Sequence, residues 1–323
     1  MSGSNPSNPA SRARILVIRG GALGDFVLTL PALGLLREAF PDAWIELLGY
    51  PHIAVLAKGR YYVDALKSIE YGPMAGFFAR NGTLDPGLSE YFAGFQQVIS
   101  CLYDPDGIFE ANLRRAGVKH FLAAYRKPAS RHAAREWAEP LEKLALFLEH
   151  PEARIFLTPD DRVEARHWLG HNVGVRLAIH PGSGSPRKNW PLEGWVEVAR
   201  RFLAKFPQGE LVLVGGEADG SAVERLEGAL CSDRVRRAEN LPLPLLAGVL
   251  AECGFFAGHD SGVSHVASAV GARCALLFGP TDPAIWAPLN PGVSVLQAPE
   301  GDWSRLMPSA VWRHVERLFL DRE

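Results

Sequence analysis

The stretch Arg14-Ile-Leu-Val-Ile-Arg-Gly-Gly-Ala-Leu-Gly-Asp25 starts as a short apolar run and turns through small residues. It then enters a helix-like stretch, Phe26 to Ala39, closed by Pro41. Short strand, glycine-rich turn and helix make up the repeating unit of a parallel α/β sheet. Apolar runs at Trp44–Leu48, Val98–Leu102 and Val118–Ala123 extend the pattern, with helical stretches between them. The pattern then restarts. Val175–His180 reads as a strand, Pro181–Lys188 as a Gly/Ser loop and Leu192–Phe206 as a helix, before further strands at Glu210–Gly215, Cys253–Gly258 and Arg273–Gly279. Short apolar runs ending in glycine read as buried parallel strands.

A chain of 323 residues corresponds to about two domains. The expected fold class is therefore α/β, with two Rossmann-like domains facing across a cleft. Residues 1–13, rich in Ser, Asn and Pro, read as a disordered tail without the apolar run of a signal peptide. The first domain is expected over 14–158 and the second over 159–323, with the hinge between Pro151 and Gly174. Pro140–His150 reads as a helix ending the first half, and Asp160–His171 as a charged helix leading into the second. The last helix, Pro308–Leu320, carries Val311, Val315, Leu318 and Phe319 on one face and is a candidate to pack back on the first domain.

Hydrophobic residues make up 47% and charged residues 22%, with a net charge of −2. This balance gives no global attraction to nucleic acid or membrane. No run reaches the ~18 uninterrupted apolar residues of a spanning helix. None of the four cysteines lies in a CxxC pair, and three sit in segments that read as apolar strands. They are expected to be reduced core residues of a cytoplasmic protein.

Five clusters can carry chemistry. Gly20-Gly-Ala-Leu-Gly-Asp25 lets a ligand approach the backbone. It is not the dinucleotide fingerprint GxGxxG, because Arg19 stands where the first glycine belongs; this argues against an NAD-dependent oxidoreductase. Asp25 reads either as a helix N-cap or as a carboxylate base. His180-Pro-Gly-Ser-Gly-Ser-Pro-Arg-Lys188 can wrap phosphate oxygens, Ser183 and Gly184 supplying the turn and Lys188 the charge. It lacks Walker spacing. Gly258-His-Asp-Ser-Gly-Val-Ser-His265 turns into a helix, so Asp260, Ser261 and Gly262 mark a second anion site. His259, Asp260 and His265 also invite a metal reading, but they lack the spacing of a helical His pair, and no metal is expected. A satisfied structural histidine is the plainer reading of His265. Val214-Gly-Gly-Glu217 follows a strand, where Gly216 gives access and Glu217 can hold a ribose diol or simply start a helix.

From Ala111 to Arg135 there are seven Lys/Arg and no Asp/Glu. Arg114, Arg115 and Arg131 are the candidates for an anionic acceptor or a membrane surface, against the plain alternative of a solvated basic face.

The order of these clusters resembles glycosyltransferase family 9, the heptosyltransferases of lipopolysaccharide core assembly. The resemblance lies in Ile15–Asp25 with Thr29-Leu-Pro-Ala-Leu33, in His180-Pro-Gly-Ser and Lys188-Asn-Trp-Pro191, and in Val214–Glu217, Asp260–His265 and Leu277-Phe-Gly-Pro-Thr-Asp282. It covers roughly residues 14 to 290, and no motif within Tyr71–Tyr103 contributes to it. It implies a GT-B fold and an inverting, metal-independent transfer from a nucleotide sugar, with ADP-heptose expected and no further cofactor. Asp25 matches the family's proposed base, Lys188 the lysine near the donor phosphates, Glu217 the ribose acid, and Asp260–His265 the turn near diphosphate and sugar. Gly21 and Gly24, with the three arginines, are then expected on the acceptor side. The expected acceptor is a glycan or lipid-linked anion, with peripheral contact at the cytoplasmic face of the inner membrane and no nucleic acid. The competing reading is a non-catalytic protein of the same shape that only holds a nucleotide sugar.

Overall fold

The computed structural model describes residues 12–171, 174–217 and 219–320. Residues 1–11 of the expected tail lie outside these. The chain divides into two compact units. One comprises the stretch ending at Gly21, Thr29–Pro128 and Ala133–Pro151. The other comprises Ala22–Leu28, Ala129–His132 and the chain from Glu152 onward.

The first unit holds five strands: β1 Arg14–Arg19, β2 Trp44–Gly49, β3 Ala65–Ser68, β4 Gln97–Ser100 and β5 Phe121–Ala123. They are parallel, in the order β3-β2-β1-β4-β5. Except for its first residue, β1 is buried throughout, as a central strand covered on both faces must be. Leu16 and Ile18 pack with Phe77, Phe92 and Phe109.

The second unit holds β6 Arg176–His180, β7 Glu210–Gly215, β8 Val235–Glu239, β9 Gly254–His259, β10 Arg273–Phe278 and β11 Val293–Gln297. Their order, β11-β10-β9-β6-β7-β8, is again wholly parallel. Both orders run outward from a central pair in opposite directions, as a doubly wound sheet does. The switch points lie between β1 and β4 and between β6 and β9, where such sheets bind ligands at the carboxyl ends of their strands. In the second core, Trp195, Val198 and Phe202 of the amphipathic helix Leu192–Lys205 meet Leu177, Leu213 and Val315.

Several local expectations change. The stretch Phe26–Ala39 breaks into helices Leu23–Val27 and Leu30–Ala39. Pro31 has no N–H for the Val27 carbonyl, so one continuous helix is disfavoured. Asp25 is not an N-cap but the third residue of the first helix, whose cap is Ala22. In place of a helix over Pro140–His150 there is a short 3-10 helix, Glu139–Leu144, stopped by Ala145 in the left-handed region at φ 59°. The helix Pro159–Leu169 starts from a capping box between Thr158 and Asp161. Pro308–Leu320 packs on the second sheet, where Val311, Trp312, Val315, Leu318 and Phe319 join its core. Of the cysteines, only Cys274 lies in a strand. Cys101 follows β4, and Cys253 ends the helix Leu243–Cys253, where Gly254 turns into β9 at φ 72°. These three are buried and free, and Cys231 is exposed.

Candidate active site

The chemistry-bearing residues of the second unit gather at its switch point. β6 and β9 pair side by side, with His180 opposite Gly258. Beyond His180 the chain forms the Ser/Gly loop and a 3-10 turn, Pro186–Lys188. Beyond His259 it passes Asp260 and Ser261 into the helix Gly262–Ala269, whose side-chain cap is Ser261 on the Ser264 N–H. Lys188 Nζ donates to Asp260 Oδ2 at 2.6 Å. Asp260 is nearly buried, while a third of the Lys188 side chain stays exposed. The ammonium is thus held beside a helix N-terminus, where free N–H groups and the helix dipole favour an anion.

Two histidines end neighbouring strands and do different jobs. His259 Nε2 accepts from the Trp190 backbone N–H at 2.8 Å and the Trp195 indole N–H at 3.3 Å. Both partners are donors only, so Nδ1 carries the proton and donates to the Gly182 carbonyl at 3.3 Å. Burial pushes this imidazole down to about 3. Both ring nitrogens are thus used inside the fold. His180 Nε2 lies 3.1 Å from Asp219 Oδ2 and Nδ1 3.1 Å from Ser261 Oγ. The carboxylate accepts from Nε2–H, so Nδ1 accepts the Ser261 hydroxyl. Asp219 also accepts the Gly216 N–H at 3.3 Å. Burial alone would raise the Asp219 carboxyl, but the His180 hydrogen bond and the Gly216 N–H outweigh it and hold it low. Ser261, His180 and Asp219 therefore tie together the turns that follow β9, β6 and β7.

His265 sits on the first turns of the helix Gly262–Ala269 and is buried. Burial pushes its imidazole down to about 4, against the opposing pull of Asp260. Its Nδ1 has no hydrogen-bond partner among the described residues. His265 is therefore not the satisfied structural histidine expected; His259 is.

The short helix Leu23–Val27 packs on Gly262–Ala269 with almost no side chain between the backbones. A Cβ on Gly24 would lie 3.1 Å from His265 Cδ2, and one on Gly262 would lie 3.0 Å from the Gly24 nitrogen. Gly262 leaves no room for a side chain, with Leu23 Cβ 2.8 Å from where its Cβ would lie, and Gly24 leaves little. Half-buried Asp25 therefore belongs to the same compact unit as Lys188, Asp260 and His265.

The remaining predicted residues fall as follows. The Ser183 hydroxyl donates within its own loop, to Asn189 Oδ1 at 2.6 Å and the Ser185 carbonyl at 2.8 Å. Gly184 is exposed with open space around it. Glu217 is exposed in the turn after β7, next to Gly216. Gly21 lies in the first unit at φ 102°. Arg114 and Arg115 end the first-unit helix Ile108–Arg115, where Arg114 pairs with Glu110 and Arg115 donates to Asn112 Oδ1 at 2.7 Å. Gly24 and Arg131 fall in the two short segments, Ala22–Leu28 and Ala129–His132, that belong to the second unit.

Sequence reasoning missed His180 and Asp219 as functional positions. His180 stands inside a quoted motif, and Asp219 lies two residues beyond Glu217. No spacing rule joins positions 180, 219 and 261; only the parallel order of β7, β6 and β9 does.

A doubly wound sheet with a lysine, a capped helix N-terminus and a buried histidine at its switch point defines a class of α/β enzymes that handle anionic, nucleotide-like ligands. The sequence profile of glycosyltransferase family 9 (heptosyltransferase) matches residues 114–306. The chain belongs to this family and is a glycosyltransferase. Lipopolysaccharide heptosyltransferase 2 of Salmonella typhimurium is 26% identical over 185 residues, which cover 56% of this chain and half of that protein's length. Lipopolysaccharide heptosyltransferase 1 of Escherichia coli O18:K1:H7 is 23% identical over 327 residues, covering 94% of this chain and 97% of the relative. The solved structure of the E. coli heptosyltransferase WaaC with ADP superposes with a TM-score of 0.71 at 21% identity, covering 94% of this chain and 99% of the other.

Proposed function

We propose that this chain transfers heptose from ADP-heptose to a lipopolysaccharide-core acceptor, with inversion and without a metal ion. The observation that carries the proposal is the pairing of Lys188 with Asp260 at the N-terminus of the helix Gly262–Ala269, in the same compact unit as Asp25. The relatives named as lipopolysaccharide heptosyltransferases and the neighbour solved with ADP support this choice of donor and acceptor.

In this reading Asp25 accepts the proton of the acceptor hydroxyl as its oxygen bonds to the anomeric carbon. The bond from that carbon to the diphosphate breaks on the opposite face. Lys188 and the N–H groups of the helix end take up the charge that grows on the departing diphosphate. A charge-assisted hydrogen bond of this kind is worth about 1.5–3 kcal/mol, and a helix end adds roughly 0.3–2 kcal/mol. Glu217 holds the ribose diol. Its turn is fixed from behind by Asp219 and His180.

Calorimetry with ADP, UDP, GDP and NAD, first without and then with magnesium, tests the donor. ADP is expected to bind best without metal, and Lys188→Ala to weaken it on the order of tenfold or more. Preference for UDP or GDP would replace the donor, and absence of nucleotide binding would sink the proposal. Asp25→Asn is expected to lower transfer by about 10²–10⁴ while leaving ADP binding intact. Unchanged turnover would remove Asp25 as the base, and tight ADP-heptose binding by the wild type without transfer to any core glycan would favour the non-catalytic alternative.

A further inference from the structure

The first unit has a small cavity of its own, about 210 Å³, at the carboxyl ends of β4 and β5. Its walls include Tyr103, Asp104, Glu110, Phe121, Tyr125 and Arg126. We propose that it is the subsite for one sugar ring of the acceptor, with Tyr103 and Tyr125 as the stacking surface and Asp104, Glu110 and Arg126 reading the hydroxyls. The proposal rests on the transfer reaction proposed above and deepens it by giving the acceptor a place and a chemistry.

The side chains fit this chemistry. Tyr103 is 70% exposed, unusual for so large a ring. Its ring centroid lies 5.0 Å from that of Tyr125, with the planes tilted by 53°, so together they present an angled aromatic corner. The C–H face of a pyranose can cover the exposed Tyr103 ring, while its hydroxyls need acceptors and donors at the edge. Both are present. The Asp104 oxygens take the Phe109 and Glu110 N–H groups at 3.2 and 3.0 Å, which fixes the carboxylate and leaves a lone pair on each oxygen. Glu110 is held through Oε1 by Arg114 at 2.9 Å. Arg126 donates Nη1 to the Tyr125 carbonyl at 3.0 Å and is half-buried at the pocket wall, with a five-donor fork to offer. Drug-sized ligands need cavities of about 300–1,000 Å³, so this one suits a single ring.

Position in the sheet gives the second argument. β4 lies beside β1, at the first switch point. A Cβ on Gly20, directly after β1, would lie 3.2 Å from Leu102 Cδ2, and Leu102 also lines the cavity. The pocket therefore abuts the turn that leaves β1.

The test uses the full chain with ADP-heptose and the oligosaccharide released from lipopolysaccharide by mild acid. Tyr103→Ala and Arg126→Ala are each expected to raise the acceptor KM on the order of tenfold, with the donor KM and ADP affinity unchanged; Tyr103→Phe, which keeps the ring, should raise it less than Tyr103→Ala. An acceptor KM unmoved by either alanine overturns the subsite. If the wild type transfers nothing, the reaction falls, and the pocket is judged by NMR titration of the same oligosaccharide. Binding weakened by Tyr103→Ala supports the pocket; equal binding by wild type and variant overturns it.

Discussion

His259 and His265 show how burial sets the charge of single residues. Both imidazoles lie well below their ordinary 6.5, at about 3 and about 4. The unfolded chain takes up a proton on each ring once the pH falls below 6.5, and the native fold resists it. Stability is therefore fully present above that value and declines as pH falls, by roughly a tenfold loss in the folding constant per unit for each ring. The decline from His265 ends near pH 4 and that from His259 near pH 3. Asp219, held low, adds its own loss in the acid range, as pH drops through its folded value. Urea denaturation at pH 7 and pH 5 should show a lower midpoint at pH 5, and His265→Gln should remove its share of the difference. Identical midpoints at both pH values would contradict this account. Composition shows ten histidines but not which are buried, because burial depends on strands far apart in the chain. His259 and His265 are six positions apart, yet only one finds partners for both its nitrogens.

Elements are where the sequence was most legible and also where it misled. Apolar runs, several of them closed by glycine, located β1, β2, β4, β5, β6, β7, β9 and β10, because parallel strands covered on both faces must be apolar. The edge strands β3 and β8 carry charge, as in Val235-Arg-Arg-Ala-Glu239, and β11 is only half-buried along its length; none of the three left a comparable trace. At the site, Lys188, Asp260 and His265 were legible from glycine-rich turns after strands. The break at Leu28–Thr29 was not read, although Pro31 marks it. That break frees Leu23–Val27 to lie on Gly262–Ala269, and the packing tolerates nothing larger than hydrogen at Gly262. A Cβ there would sit 2.8 Å from Leu23 Cβ and 3.0 Å from the Gly24 nitrogen. Gly262→Ala should therefore push the two helices apart and cost about 1–3 kcal/mol of stability. Transfer should fall by more than tenfold, since ~1 Å of misplacement can cost about a hundredfold in rate. Wild-type turnover in the variant would show that this packing does not position Asp25.

For the whole molecule, two doubly wound sheets built on the same plan explain why the glycine-turn pattern appears twice in one sequence. The overall charge of −2 hides a strongly basic stretch, and structure changes its meaning. Arg114 is paired with Glu110, and Arg115 is engaged with Asn112. Exposed Lys119, Lys127 and Arg135 remain for a wider surface. No helix among the described residues is long and apolar enough to cross a membrane. Contact with anionic vesicles should accordingly be weak and electrostatic, visible by sedimentation at low salt and gone near 0.15 M, where the screening length is about 8 Å. Binding that survives that salt would require an apolar anchor, and absence of binding at low salt would leave the basic stretch a solvated face.

The indoles around the Ser/Gly loop give the chain an optical label of its own. Trp195 donates to His259, and the Trp303 indole donates to the Arg187 carbonyl at 3.0 Å. Trp190 follows the loop directly, and its indole donates to the Leu306 carbonyl at 3.0 Å. An anion that rearranges Pro186–Lys188 must disturb the surroundings of at least one of these chromophores. Emission from the native protein can therefore report occupancy of the loop in real time, with no dye, tag or coupled assay.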